Sequence, residues 1–167
     1  LWDHAPQAIG GEGPKHAKLM LVGEQPGDQE DLAGQPFVGP AGKLLDRVFE
    51  QAGVERQGVY ITNAVKHFKW EPRGKRRLHK TPAQKEIEAC HYWLEKEIAT
   101  RKPKVIVAMG ATALKSVLQT GSVTLKDKLE SWHAIAIDEH YQWPLSHMAF
   151  GAHAILPRLR QIHAVHA

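Results

Sequence analysis

Lys18-Leu19-Met20-Leu21-Val22-Gly23 is a short apolar run closed by glycine, and it reads as a buried strand. Working outward, Pro40 to Ala52 sets Leu44, Leu45, Val48, Phe49 and Ala52 at helical spacing, with Gly53 as the stop. Val59-Tyr60-Ile61-Thr62 is a second strand, and Lys104-Val105-Ile106-Val107-Ala108-Met109, closed by Gly110, is a third. Between them Thr81 and Pro82 open a helix as N-cap and first residue. That helix runs to about Thr100 with Ile87, Cys90, Leu94 and Ile98 on its apolar face, and Ala111 to Leu118 forms another. Alternating strand and helix predict an α/β protein: a three-layer α/β/α sandwich around a central, mostly parallel four-stranded sheet.

The remaining pattern is weaker. Residues 64 to 81 carry polar, Gly and Pro signals without a period and read as a long loop, a length usually reserved for function. Beyond Gly121, His133 to Ile137 alternates like a strand, Leu145 to Phe150 reads as another, and Ile155 to Val165 as a closing helix. With no repeat, low-complexity segment or linker, residues 1–167 are expected to form a single domain. No stretch has the ~18 apolar residues of a membrane span, and the first residues do not resemble a signal peptide. The single cysteine, Cys90, rules out a disulfide framework and fits a reducing, cytoplasmic setting.

A net charge of +4 and a pI near 9.2 are mildly basic, but the charge is concentrated. Lys66, Lys69, Arg73, Lys75, Arg76, Arg77 and Lys80 stand against one acid, Glu71. That density suits a polyphosphate partner, although a charge run alone is more often a solvated face. Within it, Gly74-Lys75-Arg76-Arg77-Leu78-His79-Lys80 encloses a histidine that can serve as nucleophile, base or phosphate ligand.

Three further stretches fall where loops of an α/β sheet converge. Gly23-Glu24-Gln25-Pro26-Gly27-Asp28 follows the first strand and brings Glu24, Gln25 and Asp28 to its carboxyl end; read alone it is also an ordinary surface turn. Gly34-Gln35-Pro36-Phe37-Val38-Gly39-Pro40-Ala41-Gly42 presents Phe37 either for base stacking or for the core. Asn63 ends the second strand, where a fixed amide reads a base edge or simply terminates the strand. An acid, an amide and a cationic loop set side by side point to an enzyme that works on DNA.

In order and wording, these stretches and Thr62-Asn63-Ala64-Val65-Lys66-His67-Phe68-Lys69 resemble the uracil-DNA glycosylase superfamily, near its family 4. The basic loop is similar to the insertion of the UdgX branch, and the resemblance runs from about residue 9 to 118. It implies that uracil is flipped out of DNA and its glycosidic bond cut. His79 would be a nucleophile that captures the sugar C1′ and stays attached, with Glu24 positioning or activating it. Gln25, Asp28, Phe37, Asn63 and His153 would line the uracil pocket. Lys75, Arg76, Arg77 and Lys80 would hold DNA phosphates. The expected partner is uracil-containing, single-stranded DNA, and the expected state a monomer.

Two departures qualify the resemblance. The later His-Pro-Ser motif of the superfamily is missing, with Ser146-His147-Met148 and Ala152-His153-Ala154-Ile155-Leu156 as imperfect candidates. The resemblance also implies an iron–sulfur cluster, yet Cys90 is the one cysteine here and cannot hold a cluster by itself. The other ligands then lie upstream of Leu1, or the chain is cluster-free. Two other readings stand beside covalent capture: hydrolytic excision of the family 4 kind, and a uracil-DNA-binding module without chemistry.

Overall fold

Parallel strands need long crossovers and burial on both faces, and the apolar runs of this chain are spaced for both. A computed structural model describes residues 7–119 and the strand 131–135. Its strands β1 (Leu19–Gly23), β2 (Val59–Asn63), β5 (Val105–Met109) and β6 (Ser131–Ile135) form a four-stranded sheet in the order β2-β1-β5-β6. Every pairing is parallel, with Leu19 opposite both Val59 and Val105, and Val105 opposite Ser131.

Side chains alternate along a strand, so β1, β2 and β5 each feed two cores. On one face Leu21, Val59, Ile61, Val105 and Val107 pack with Leu45, Val48 and Phe49 of helix α2 (Pro40–Ala52). On the other, Met20, Val22, Tyr60, Ile106 and Ala108 meet Leu94 of helix α3 (Gln84–Arg101) and Ala113 and Val117 of helix α4 (Ala111–Gln119). This is the expected sandwich. Helix α2 stops where expected: Gly53 turns left-handed at φ 70° and its N–H bonds back to Glu50 O. No helix among the described residues is long and apolar enough to cross a membrane.

The structure departs from the sequence reading in four places. Asp28–Ala33 is a one-and-a-half-turn helix, α1, hidden because its acidic residues carry no apolar period. The stretch 64–81 is not all loop: β3 (Trp70–Arg73) and β4 (Arg76–His79) form an antiparallel hairpin. Its strands have four residues each, and Pro72 and a run of charges mask the alternation. Gly74 opens the turn at φ 62°, where an L side chain is disfavoured. Helix α3 begins at Gln84 with Ala83, not Thr81, as its N-cap. Glu86 accepts from Ala83 N at 2.6 Å, so the carboxylate three residues in satisfies the N-cap N–H, the half of a capping box that needs no hydroxyl. Finally, β6 lies at 131–135 rather than 133–137. The stretches 145–150 and 155–165 lie outside the described residues.

The basic run begins with a lysine that is not at the surface. Lys66 Nζ is buried and donates to Thr62 Oγ1 at 2.7 Å, Asn63 O at 2.6 Å and Glu97 Oε2 at 2.7 Å. Glu97 also accepts from Gly11 N at 2.9 Å, tying α3 to the end of β2 and to the segment that covers its edge. Burial pulls the lysine below its ordinary value, opposed by Glu97. Breaking a buried pair by removing one partner typically costs about 3–5 kcal/mol. Lys66→Ala is therefore expected to lower the urea midpoint by that equivalent at unchanged slope. A loss under about 0.5 kcal/mol, the scale of a surface substitution, would contradict this placement.

Candidate active site

Ligands of open parallel sheets bind beyond the carboxyl ends of the strands. Here Gly23 and Asn63 end β1 and β2 in register. The two chains then continue side by side, with Ala64 N bonded to Gly23 O at 2.8 Å and Val65 N to Glu24 O at 2.9 Å. The Phe37 ring and the Asn63 amide both lean on Gly23. A Cβ at Gly23 would stand 2.5 Å from Phe37 Cζ and 2.5 Å from Asn63 Oδ1. Asn63 is buried, and its Oδ1 has no partner among the described residues. An unmet buried acceptor costs roughly 1–3 kcal/mol, so this oxygen is poised for an incoming N–H. Phe37 is half-buried and packs against the α2-side core, which is the core reading of its sequence position.

Beside this cradle stand Glu24 and His79. His79 Nε2 lies 3.1 Å from Glu24 Oε1, and half of the imidazole is exposed. Glu24 Oε2 accepts from Thr112 Oγ1, at the start of α4, at 2.7 Å. Burial works to raise the Glu24 carboxyl, but the hydrogen bonds from His79 and Thr112 outweigh it and hold the group below its ordinary value. Glu24 is thus a carboxylate at neutral pH. The sequence brought Glu24 and His79 forward; Thr112, 88 residues from Glu24, carried no local signal.

His79 is delivered by the hairpin, and the hairpin is fastened to the sheet by residues that looked like ligand contacts. Gln25 Nε2 donates to Lys69 O and Lys80 O, both at 3.2 Å, while its Oε1 accepts from Lys69 N at 3.0 Å. One amide thereby holds the two feet of the hairpin, a role its expected place in the uracil pocket did not suggest. Arg77, expected at a DNA phosphate, is held here by two carboxylates of the protein. Its Nε donates to Asp28 Oδ1 and its Nη1 to Asp31 Oδ2 at 2.6 Å, the latter carboxylate fully buried. Its guanidinium lies 5.4 Å from the Phe68 ring centroid and 5.5 Å from that of Trp70. Asp28, expected in the uracil pocket, is an anchor of the hairpin.

Of the other cations, Lys69 pairs with Glu86 at 2.6 Å and Lys80 with Glu71 at 3.2 Å. Arg73, Lys75 and Arg76 stay exposed at the hairpin tip. His153 lies outside the described residues, as do the candidates for the missing His-Pro-Ser.

The sequence profile described as "Uracil DNA glycosylase superfamily" matches residues 11–154. The chain belongs to the uracil-DNA glycosylase superfamily. It is 42% identical over 118 residues to the type-4 uracil-DNA glycosylase of Sulfurisphaera tokodaii, covering 70% of this chain and 50% of that one. To the type-4 enzyme of Thermotoga maritima it is 41% identical over 115 residues, 69% of this chain and 56% of the relative. A type-5 uracil-DNA glycosylase of Pyrobaculum aerophilum matches at 29% over 133 residues, 71% of this chain and 55% of the relative. The chain thus spans about half the length of these curated relatives.

The iron–sulfur expectation does not fit the superfamily chain as described. Cys90 is buried with Val65 and Ile87, in aliphatic surroundings. Among the described residues no three His, Cys, Asp or Glu side chains come together as metal ligands.

Two measurements probe this geometry. An ionised Glu24 keeps its function as pH falls until its depressed value is reached, and its contribution to stability, present above 4.5, is lost through that same lower value. Thr112→Val removes one of the two hydrogen bonds that oppose burial, so the acid limb of kcat/KM should move to higher pH. An unmoved limb would mean that Thr112 does not tune Glu24. For Arg77, lysine cannot reproduce a stacked, forked contact. Arg77→Lys should lower the rate of chemistry at least tenfold and leave the salt slope of DNA binding unchanged. Replacing Lys75 and Arg76 with alanine should instead reduce that slope by roughly 0.7 per lost phosphate contact on a single strand.

Proposed function

We propose that this chain excises uracil from DNA. Its likeness to uracil-DNA glycosylases supports this reading, and the observation that carries it is the 3.1 Å pair of His79 Nε2 and Glu24 Oε1 beside the Phe37–Asn63 cradle. A flipped uracil stacks on Phe37 and gives its N3–H to Asn63 Oδ1. The C1′–N1 bond breaks with its electron pair leaving on uracil, and the sugar becomes oxocarbenium-like. Glu24, ionised and partly desolvated, stabilises that positive charge where water would do so poorly. In the hydrolytic form, water adds to C1′, its proton passes through Glu24 to the departing uracil, and the enzyme turns over.

The placement of His79 favours a second reading, covalent capture. The imidazole is held at the carboxylate that faces the sugar, so Nε2 competes with water for C1′ at high effective concentration. Glu24 takes the proton from Nε2, the electron pair of that broken N–H bond forms the bond to C1′, and Glu24 passes the proton to the uracil anion. Atoms and charges balance without a further reactant. The substrate we infer is single-stranded DNA, gripped by Arg73, Lys75 and Arg76 at the hairpin tip.

The test is incubation with a uracil-containing single-stranded oligonucleotide followed by a denaturing gel. Capture gives a protein–DNA band that survives heat and detergent and disappears in His79→Ser, which should leave an alkali-labile abasic site. Hydrolysis gives the abasic site over many turnovers in the parent chain. Neither product, with binding retained, would reduce the chain to a uracil-DNA-binding module.

A further inference from the structure

Phe37 carries a strained backbone. Its φ of 54° lies in the left-handed region, a conformation that costs a non-glycine residue of order 1–3 kcal/mol and persists only when its surroundings enforce it. Two side chains do so from opposite ends of the loop. Arg56 Nη2 donates to Pro36 O at 3.2 Å and Phe37 O at 2.9 Å, while its Nη1 is anchored on Asp46 at 2.6 Å. At the other end stands Glu30, on α1 and only 7% exposed. Its Oε1 accepts from Gly39 N at 2.7 Å and its Oε2 from Gly27 N at 3.1 Å.

Gly27 and Gly39 are the N-caps of α1 and α2. One buried carboxylate therefore joins two helix starts. One of them closes the turn that begins with Glu24, the other the loop that holds Phe37. The contact leaves no room for side chains: a Cβ would stand 2.8 Å from Glu30 Oε2 at Gly27 and 3.0 Å from Oε1 at Gly39. A residue that merely capped α1 would need only the Gly27 bond. The second bond, across to a different loop, is shorter and buried.

We propose that Glu30 is a positioning residue for base recognition. Its carboxylate bridge fixes the Phe37 ring over Gly23 beside Asn63 Oδ1, and so sets the preference for uracil over other bases. This rests on the reading of Phe37 and Asn63 as the uracil cradle. Glu30 touches no substrate; it acts through Phe37. The isosteric Glu30→Gln isolates the bridge, because its amide offers one acceptor and turns an NH₂ toward the second backbone N–H.

The experiment compares binding of two single-stranded oligonucleotides that differ at one position, uracil or thymine. Both carry 2′-fluorine on that sugar, which resists cleavage by destabilising the oxocarbenium state. The parent chain should prefer uracil. Glu30→Gln should cut the uracil-to-thymine affinity ratio at least tenfold, with thymine-oligonucleotide affinity and salt slope unchanged. Phe37→Ala should cut the ratio comparably, and the double variant should add little, since coupled residues are not additive. Arg56→Lys, which loosens the same loop from its exposed side, should also lower the ratio, and it serves if Glu30→Gln fails to fold. A folded Glu30→Gln, or failing it Arg56→Lys, that keeps the full ratio would overturn the proposal and leave Glu30 as a helix cap. Equal parent affinity for both oligonucleotides would overturn it together with the uracil reading.

Discussion

The 3.1 Å contact between His79 and Glu24 exists because a hairpin with little apolar surface of its own is fastened to the sheet. Two short strands alone are marginal in water. This pair holds because Gln25 bonds both of its feet and Arg77 anchors its return strand on Asp28 and Asp31. Arg77 and His79 are two residues apart on β4, so the alternation of the strand turns them toward the same face. The anchor and the reactive ring are thus set by one piece of backbone. A guanidinium near two aromatic rings and paired with two carboxylates has few alternative positions, so the strand that carries His79 is firmly placed.

What was legible in the sequence follows from the range of each interaction. Periodicity is local, so β1, β2, β5, α2, α3 and α4 were readable from Leu21, Phe49, Leu94 and their neighbours, and the parallel sheet followed from their order. The hairpin was not, because its strands are stabilised by polar and ionic contacts to distant residues rather than by a buried apolar face. The same cause hid the structural contacts of Arg77 and Gln25. A cation in a basic run looks like a phosphate ligand until a carboxylate 46 residues away is seen to hold it. Glu30 was invisible for a related reason: its meaning lies in two backbone amides, and one belongs to another loop.

Charge is divided within the basic segment in a way that the count of cations conceals. Lys66, Lys69, Arg77 and Lys80 each pair with a carboxylate of the protein, while Arg73, Lys75 and Arg76 remain at the exposed tip. The inner cations build the site, and the outer ones are available to an anionic polymer. Long-range attraction and local architecture therefore come from the same sequence stretch without sharing residues, and salt weakens the first far more than the second.

That division answers a difficulty of the proposed chemistry. A carboxylate that stabilises a positive sugar must stay ionised, yet it must do so beside a polyanion whose phosphates repel it. Around Glu24 the protein collects further negative charge on Glu30, Asp28 and Asp31. Each is answered internally: Glu30 by the N–H groups at two helix starts, where negative charge is favoured, and the aspartates by Arg77. Among the described residues, the Glu24 carboxylate receives His79 and Thr112. These two hydroxyl and imidazole donors are enough to keep it a carboxylate and too few to neutralise it. In the proposed chemistry the charge left over would face C1′, and the phosphates would be met a hairpin's length away at the exposed Arg73, Lys75 and Arg76.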